Sequence, residues 1–598
     1  MSASETNPHK EHTLILQEEL ELIATGKDQT SEPPIINCHT HTFTQKHVPP
    51  FLGRTVLPFP FYLLIYLPLF VSLYGLYHSI KNSLKFSKPW FRKLQEWSYT
   101  LRIPFSRYYL LGIVKWLFLA YVLFTLIPIV WPVDSIPVEW IREKYDLLYD
   151  KGWMLKFETL SSKILAFGLA FIFLPSIRHY ILFLIKQIGK VASLIPTAKS
   201  KDLMQRYLSM ARYNTYETQG KILERLVSQF PNGTRFVILP MDMKEMAAGP
   251  ITEDFETQMQ TLFDLKKSPT YKDKILPFVF VDPRRKKVGN QVFFDYEIKN
   301  GVFSIKPCYL KSCFEEHQIA GIKLYPSLGY YPFDPELIPI WIYAQEKGIP
   351  IITHCTKGSI YYRGFKKRKW DYHKVFKRND EDPLLLGQLK NSDFCNNFIH
   401  PLNYLCLIEE RLLRRVIAQT GKVIQDYFGY IDDDTELKRN LNELKICLAH
   451  YGGTDEWKKY LNEDRDIYNK DIITHPEFGI NFLKNSKGKF SEYKLAQLWW
   501  ETDWYSLITS MMLQYPNLYA DISYILHNEE IFPLLERTLD PDIPKLRSRV
   551  LFGTDFFVVR NQKSDKHLYT NLISHLDKED FDQIARINPS TFLTVNIH

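Results

Sequence analysis

His39 and His41 stand two residues apart in Ile35-Ile-Asn-Cys-His39-Thr-His41. On an extended strand, side chains alternate with period two, so both imidazoles point to one side and can reach one metal ion. Enzyme sites of the zinc type use about three protein ligands and keep one position open for water. His354, in Pro350-Ile-Ile-Thr-His354, and Asp555, in Leu551-Phe-Gly-Thr-Asp555, can complete such a set. His450, in Leu448-Ala-His450-Tyr-Gly-Gly, also follows an apolar run. A lone His-x-His is common by chance, and a histidine after a buried strand is often a satisfied core residue. The ordered set, with each member after its own apolar run, is the more specific signal.

Residues so far apart need a scaffold that gathers strand ends. From Arg235 onward, short β-branched and apolar runs alternate with longer helical segments, the order of a parallel sheet with crossover helices. The expected strands are Arg235–Met241, Ile275–Val281, Gly321–Leu324, Pro350–His354, Lys445–Ala449, Leu518–Ile522 and Val550–Gly553; Pro34–Cys38 makes eight. Eight is the number a closed (β/α)8 TIM-like barrel needs, and its chemistry collects at the C-terminal strand ends. His39, Asp242, Asp282, His354, His450 and Asp555 fall just past such ends. Lys323 lies within its short strand, where its side chain can point into the mouth. An insertion over 356–444, after the fifth strand, holds the basic run Lys366 to Lys369 and many tyrosines. It reads either as a solvated surface insertion or as a lid or lipid contact over the mouth.

The chain has 598 residues, 45% apolar and 24% charged, with a net charge of +8. That charge is mild for the length. With no zinc-finger spacing and no aromatic RNA-binding signature, nucleic acid is not an expected partner. The seven cysteines are scattered and odd in number, which argues against a disulfide framework. Met1 to Pro34 lacks the basic start and apolar core of a signal peptide.

The domains expected are a polar extension (1–33), the first strand with its histidine pair (34–48), an apolar helical insert (49–202) and the rest of the barrel (203–598). Within the insert, Val56–Ile80 has no Asp, Glu, Lys or Arg, Arg107–Trp131 carries only Lys115 inside its apolar run, and Lys163–Pro196 is broken by Pro175 and by Arg178–His179. About 20 apolar residues cross a bilayer as a helix. Residues 56–196 are therefore expected to meet membrane lipid, as transmembrane or monotopic helices. If His39 and His41 share a site with residues after Leu203, the insert leaves and returns on one side, and its full crossings are even in number. The basic loop between the first two stretches belongs in the cytoplasm by the positive-inside rule. A monotopic insert, with Trp90, Phe91 and Trp97 at headgroup level, reconciles that loop with a barrel that also faces the cytoplasm.

The whole set resembles the amidohydrolase superfamily, and within it the amidohydrolase-related branch that includes aminocarboxymuconate-semialdehyde decarboxylase. The resemblance is carried by the His39–His41 motif, Leu239-Pro-Met-Asp242, Phe280-Val-Asp282-Pro-Arg-Arg, Gly321-Ile-Lys323-Leu-Tyr-Pro, Pro350-Ile-Ile-Thr-His354-Cys, Leu448-Ala-His450-Tyr-Gly-Gly and Leu551-Phe-Gly-Thr-Asp555. It covers 34–48 and 203–598; the apolar insert lies outside it. The resemblance implies His39, His41 and His354 as metal ligands, with Asp555 as ligand and proton shuttle. It makes His450 a ligand of a second metal or an acid/base that polarises substrate. Lys323 is either carbamylated between two metals or an ordinary lysine that binds substrate. Tyr325 and Arg363 are further candidates for substrate contact.

The cofactor expected is a divalent metal, zinc first, as one ion or as two if Lys323 is carbamylated. The reaction expected is hydrolysis of an ester, lactone, amide or phosphoester of a small molecule by a metal-activated water. Decarboxylation of a small carboxylated substrate is the alternative, for which Arg284, Arg285 or Arg363 would hold the carboxylate. A non-catalytic membrane scaffold that retains the barrel is a third reading. Nothing in the sequence defines an oligomeric state.

Overall fold

The computed structural model describes residues 32–49 and most of 218–593, with a few isolated positions between 113 and 162. Residues 66–205 separate from the rest as a unit of their own. The apolar stretches 56–80, 107–131 and 163–196 lie outside the described residues, those isolated positions apart. Among the described residues no helix is long and apolar enough to cross a membrane.

Fourteen strands follow in chain order: β1 Ile36–Thr40, β2 Arg235–Ile238, β3 Ile275–Phe280, β4 Lys287–Val288, β5 Gln291–Val292, β6 Tyr296–Lys299, β7 Val302–Ile305, β8 Gly321–Leu324, β9 Ile351–Thr356, β10 Tyr372–Lys377, β11 Pro383–Leu385, β12 Ile446–Gly452, β13 Leu518–Asp521 and β14 Val550–Leu551. Eight of them form one sheet in the order β1-β2-β3-β8-β9-β12-β13-β14. Every neighbouring pair in it is parallel. These are the eight strands expected, each within a few residues of its predicted bounds. The sheet closes where β1 meets the chain after β14. Cys38 N–H donates to Phe552 O (2.8 Å), Asp555 N–H to His39 O (2.9 Å) and His41 N–H to Phe556 O (2.7 Å). Helices α1 Gln219–Val227, α2 Phe255–Lys267, α3 Tyr309–Glu315, α4 Ile338–Lys347, α5 Glu410–Ile417, α6 Trp504–Gln514 and α7 Phe532–Thr538 are among those joining the strands, and α8 Asp565–His575 follows the last of them.

The apolar core has two parts. A small cluster, including Ile36, Cys38, Val237, Phe278, Ile352, Cys447, Ala449 and Leu551, fills the inside of the barrel, with Phe592 and Leu593 packed into it. A larger cluster lies between strands and helices. The alternation that assigns residues to one or the other breaks at two places. Asn37 pairs with Phe236 but Thr40 with Ile238, three residues against two. Ala449 pairs with His354 but Gly452 with Thr356, again three against two. Each is a β-bulge, which re-aims a side chain at a barrel rim. Strict period two would send a residue next to Cys38 or Ala449 outward. The bulges instead turn His39 and His450 inward.

The insertion after β9 corrects the solvated-surface reading in part: the basic run around Phe365 is exposed, but most of the rest packs as a layer of its own. It folds into the β10–β11 hairpin and a helical layer that buries Trp370, Phe394, Phe398, Leu402, Tyr404 and Leu412. Tyr404 OH meets Thr353 Oγ1 on β9, and Cys355 Sγ approaches Ile399 O at 3.5 Å. Two small hairpins, β4–β5 and β6–β7, decorate the connection after β3 and were not expected from the sequence.

Asn37 clasps the closing seam. Its Nδ2 donates to Thr554 Oγ1 (2.9 Å), while its Oδ1 accepts from Thr554 N–H (3.2 Å) and His39 N–H (3.3 Å). Replacing a fully buried amide leaves these groups unsatisfied, at about 1–3 kcal/mol each when water cannot reach them. Asn37→Ala is expected to lower the urea midpoint by an amount of that order; an unchanged midpoint would show that the seam does not depend on the clasp.

Candidate metal centre

The mouth of the barrel holds His39, His41, Lys323, His354, His450 and Asp555, all buried, joined by Asp521 and Ser523 from the end of β13. His39 Nδ1 meets Asp521 Oδ2 at 2.8 Å, and His41 Nδ1 meets the Leu239 carbonyl at 2.8 Å. An oxygen that only accepts requires a proton on each Nδ1, so each Nε2 carries a lone pair. Both Nε2 atoms turn on one oxygen of Asp555: His41 Nε2 is 3.3 Å and His39 Nε2 is 3.7 Å from Asp555 Oδ1. His39 Nε2 has no hydrogen-bond partner. Two nitrogen lone pairs and a carboxylate oxygen facing one another repel unless positive charge lies between them. The donor set, two imidazoles and a carboxylate with their outer nitrogens already anchored, fits a divalent cation.

His354 stands one imidazole further out. Its Nδ1 meets His450 Nε2 at 3.1 Å. His450 Nδ1 meets Ser523 Oγ at 2.9 Å, and the Ser523 hydroxyl donates to Asp521 Oδ1. With the serine proton spent on Asp521, the donors run outward in one sense: His354 to His450, His450 to Ser523, Ser523 to Asp521. His354 Nε2 then carries a lone pair and has no partner. Tyr325 stacks on this ring, centroids 4.0 Å apart and planes 13° apart. Both nitrogens of His450 are therefore engaged, and the free nitrogen at the end of the chain belongs to His354. A second gathering of His39, His450 and Asp521 is less suited to an ion, because Asp521 already accepts from His39, the His450 and Ser523 amides, and the Ser523 hydroxyl.

Burial dominates the electrostatics. It pushes the His39 and His354 pKa well below the ordinary imidazole value, helped by the charge of Lys323. Burial beside His39 lowers His450 to about 3. Lys323 is lowered to about 8 by burial, against the pull of Asp521 and Asp555. Its Nζ is buried with no hydrogen-bond partner. At the bulge on β12 and beside the seam, His450 (φ 65°), Tyr451 (φ 44°) and Asp555 (φ 54°) adopt left-handed backbone. Such conformations cost about 1–3 kcal/mol each and persist where the surroundings over-determine them. Tyr451 shows how: its carbonyl accepts from Trp457 Nε1 (2.9 Å) and its hydroxyl meets Thr509 Oγ1 (2.8 Å). Gly453 is obligatory in the same turn. Its φ is +93°, and a Cβ there would lie 2.0 Å from Thr356 Oγ1.

The other candidates are placed differently. Asp242 is held by Arg285, and Asp282 by Arg284, with Arg284 Nε donating at 2.8 Å. Arg363 lies with its guanidinium 3.5 Å from the centre of the Tyr361 ring. Sequence reasoning missed Asp521 and Ser523. The available signal was Leu518-Tyr-Ala-Asp521-Ile-Ser523, two polar residues with period two closing the one strand to which no rim residue had been assigned.

No protein-family model matches this sequence. No curated protein matches it either. Among solved structures it is similar to 5-carboxyvanillate decarboxylase from Sphingomonas paucimobilis (11% identity, 64% of this chain and 84% of that one, TM-score 0.31). It is also similar to 2,6-dihydroxybenzoate decarboxylase from Rhizobium (12%, 63% and 88%, TM-score 0.30). A third is 4-oxalomesaconate hydratase from Rhodopseudomonas palustris (12%, 62% and 79%, TM-score 0.29). At these TM-scores only the strand order and side chains of this chain define its architecture and site.

Six buried histidines among the described residues have depressed pKa values, burial being the main cause: His39, His47, His354, His373, His400 and His450. Between the unfolded value near 6.5 and the folded value, the unfolded chain binds protons that the folded chain does not, so stability is lost as pH falls. Each such group contributes up to about 1.4 kcal/mol per pH unit in that window. Urea midpoints measured with a chelator present are expected to fall steeply between pH 7 and pH 5; equal midpoints would mean that these imidazoles are charged in the folded state.

Proposed function

We propose that this chain is a metal-dependent enzyme of the amidohydrolase type that hydrolyses an ester, lactone, amide or phosphoester of a small molecule. The observation that carries the reading is the convergence of His39 Nε2 and His41 Nε2 on Asp555 Oδ1, with both Nδ1 protons already committed elsewhere. His39, His41 and Asp555 would hold the ion; zinc is the first expectation for such an N/O set, with manganese and iron also compatible. A divalent ion there supplies Lewis acidity and brings the pKa of a bound water toward 7.

The chain's own groups do the rest. Asp555 is the carboxylate placed to take a proton from water and return it to a leaving group. His354 Nε2 is the second proton-handling atom. Its ring is held flat against Tyr325, and its charge state is coupled through His450 and Ser523 to Asp521. His450 acts through His354 rather than on substrate. Lys323, lowered to about 8, has an appreciable neutral fraction near pH 7–8. That is the form that adds carbon dioxide to give a carbamate and a proton, which would create room for a second ion. The alternative role is contact with substrate, shared with Tyr325. Hydrolysis is favoured over decarboxylation because two of the three candidate arginines, Arg284 and Arg285, are held by Asp282 and Asp242, and the third, Arg363, lies over the Tyr361 ring. Attachment to membrane lipid through residues 56–196, with the barrel on the cytoplasmic side, completes the proposal.

Elemental analysis of the purified protein is expected to find about one divalent ion per chain, or two if Lys323 is carbamylated. His39→Ala and Asp555→Ala are expected to lose it. His354→Ala is expected to keep it and to lose about 10²–10⁴-fold in turnover of an ester or lactone panel. No metal in the wild-type protein, or metal unaffected by His39→Ala, would favour the scaffold; metal lost in His354→Ala would place that residue in the ligand set. Asp521→Asn removes one acceptor from the anchors of His39 and His450, and metal affinity by competitive chelation is expected to fall about 10–100-fold. Unchanged affinity would show that neither anchor matters.

A further inference from the structure

The basic segment of the insertion forms a built surface that the catalytic reading does not use. From Arg363 to Arg378 the chain carries eight basic side chains and one acidic, Asp371. Phe365 is 96% exposed at the tip of this segment. Lys367, Arg368 and Lys369 follow it, all exposed, and Arg368 and Lys369 have no ion-pair partner among the described residues. The next residue, Trp370, is buried against Phe394 and Phe398, at ring distances of 5.4 and 5.1 Å. The tip is thus anchored by one aromatic ring while another is held out in water. Tyr372 and Leu385, opposite one another on β10 and β11, are 49% and 53% exposed, a second exposed apolar pair within the same insertion. The root of the segment is tied to the barrel rim: Tyr362 N–H donates to Ser327 O (2.9 Å), after β8, and Arg363 N–H to Met246 O (2.8 Å), after β2.

We propose that this surface docks on an anionic lipid bilayer, with Phe365 inserted at the acyl boundary and Lys367, Arg368 and Lys369 on the headgroups. Interfacial binding needs this combination of an exposed apolar side chain and unpaired cationic groups around it. A single-stranded nucleic acid would instead be met by several rings on which successive bases stack; here only Phe365 projects almost fully, with Tyr372 half-exposed. The same chain carries Val56–Ile80, free of Asp, Glu, Lys and Arg, which gives it an independent reason to meet a bilayer. Docking through this segment holds the rim to which it is tied toward the lipid surface, where an apolar substrate is concentrated. The proposal does not depend on the metal reading.

The test uses the purified full chain with Phe365→Cys carrying an environment-sensitive fluorophore; the native cysteines are all buried and remain unlabelled. Because the label reports locally, binding through residues 56–196 does not by itself produce a signal. Vesicles of phosphatidylserine and phosphatidylcholine are expected to shift the emission to the blue, and spin-labelled lipid to quench it. Phosphatidylcholine alone is expected to do neither, and added salt to weaken the response. Reversing Lys367, Arg368 and Lys369 to Glu is expected to raise the lipid concentration for half-response roughly 100-fold or more, at about one kcal/mol per basic residue removed from the surface. The urea midpoint of that variant should stay unchanged, since the three side chains are exposed. No emission change while the protein co-floats with anionic vesicles would overturn the proposal, as would a response to single-stranded RNA but not to vesicles.

Discussion

One buried carboxylate organises the mouth of this barrel. Asp521 has no solvent exposure, and an uncompensated charge in such a place costs several kcal/mol. Its oxygens are satisfied by His39 Nδ1, by the amides of His450 and Ser523, and by the Ser523 hydroxyl. Each bond does a second thing. The first decides which nitrogen of His39 carries the proton. The last orients Ser523 so that it accepts from His450, which then accepts from His354. One charge on β13 thereby sets the tautomers of three histidines on three other strands.

The backbone is arranged to serve that network at a cost. Extra residues in β1 and β12 break the sheet's alternation, and left-handed φ values fall on His450, Tyr451 and Asp555. Both bulges and these three φ values fall at the C-terminal strand ends, where Ala247 and Tyr524 are left-handed too; Gln318, before β8, is a left-handed residue on the opposite side. That distribution is the one expected when strain is kept where geometry must be special. The insertion after β9 contributes from above. It fixes Thr353 and Cys355, on either side of His354, through Tyr404 and Ile399.

Much of this was legible in the sequence. Each barrel strand announces itself as a short apolar run, because a parallel strand is buried on both faces. The histidines, Lys323 and Asp555 stand at or just past those runs, and strand ends of a barrel converge. Other features had only a faint local signature or none. Asp521 and Ser523 look like ordinary polar residues in Tyr-Ala-Asp-Ile-Ser until β13 is placed beside β12 and β1. Arg284 and Arg285 look available for a substrate carboxylate until Asp282 and Asp242 are seen to hold them. The tyrosine-rich insertion reads as surface because its buried faces pack on one another and on the barrel, contacts that a linear pattern does not reveal.

The sequence by itself determined the eight-strand parallel architecture and most of the groups that meet at its mouth, Asp521 and Ser523 excepted, since periodicity and residue type are local properties. Only the tertiary structure decided the division of labour. It put His39 and His41 on Asp555, moved His354 to the far end of a chain through His450, and left Lys323 without a partner. The physical reason is that what such a histidine cluster can bind is specified by which nitrogen of each imidazole is free. That depends on what the other nitrogen meets, here a carboxylate 482 residues away in the chain and a carbonyl 198 residues away.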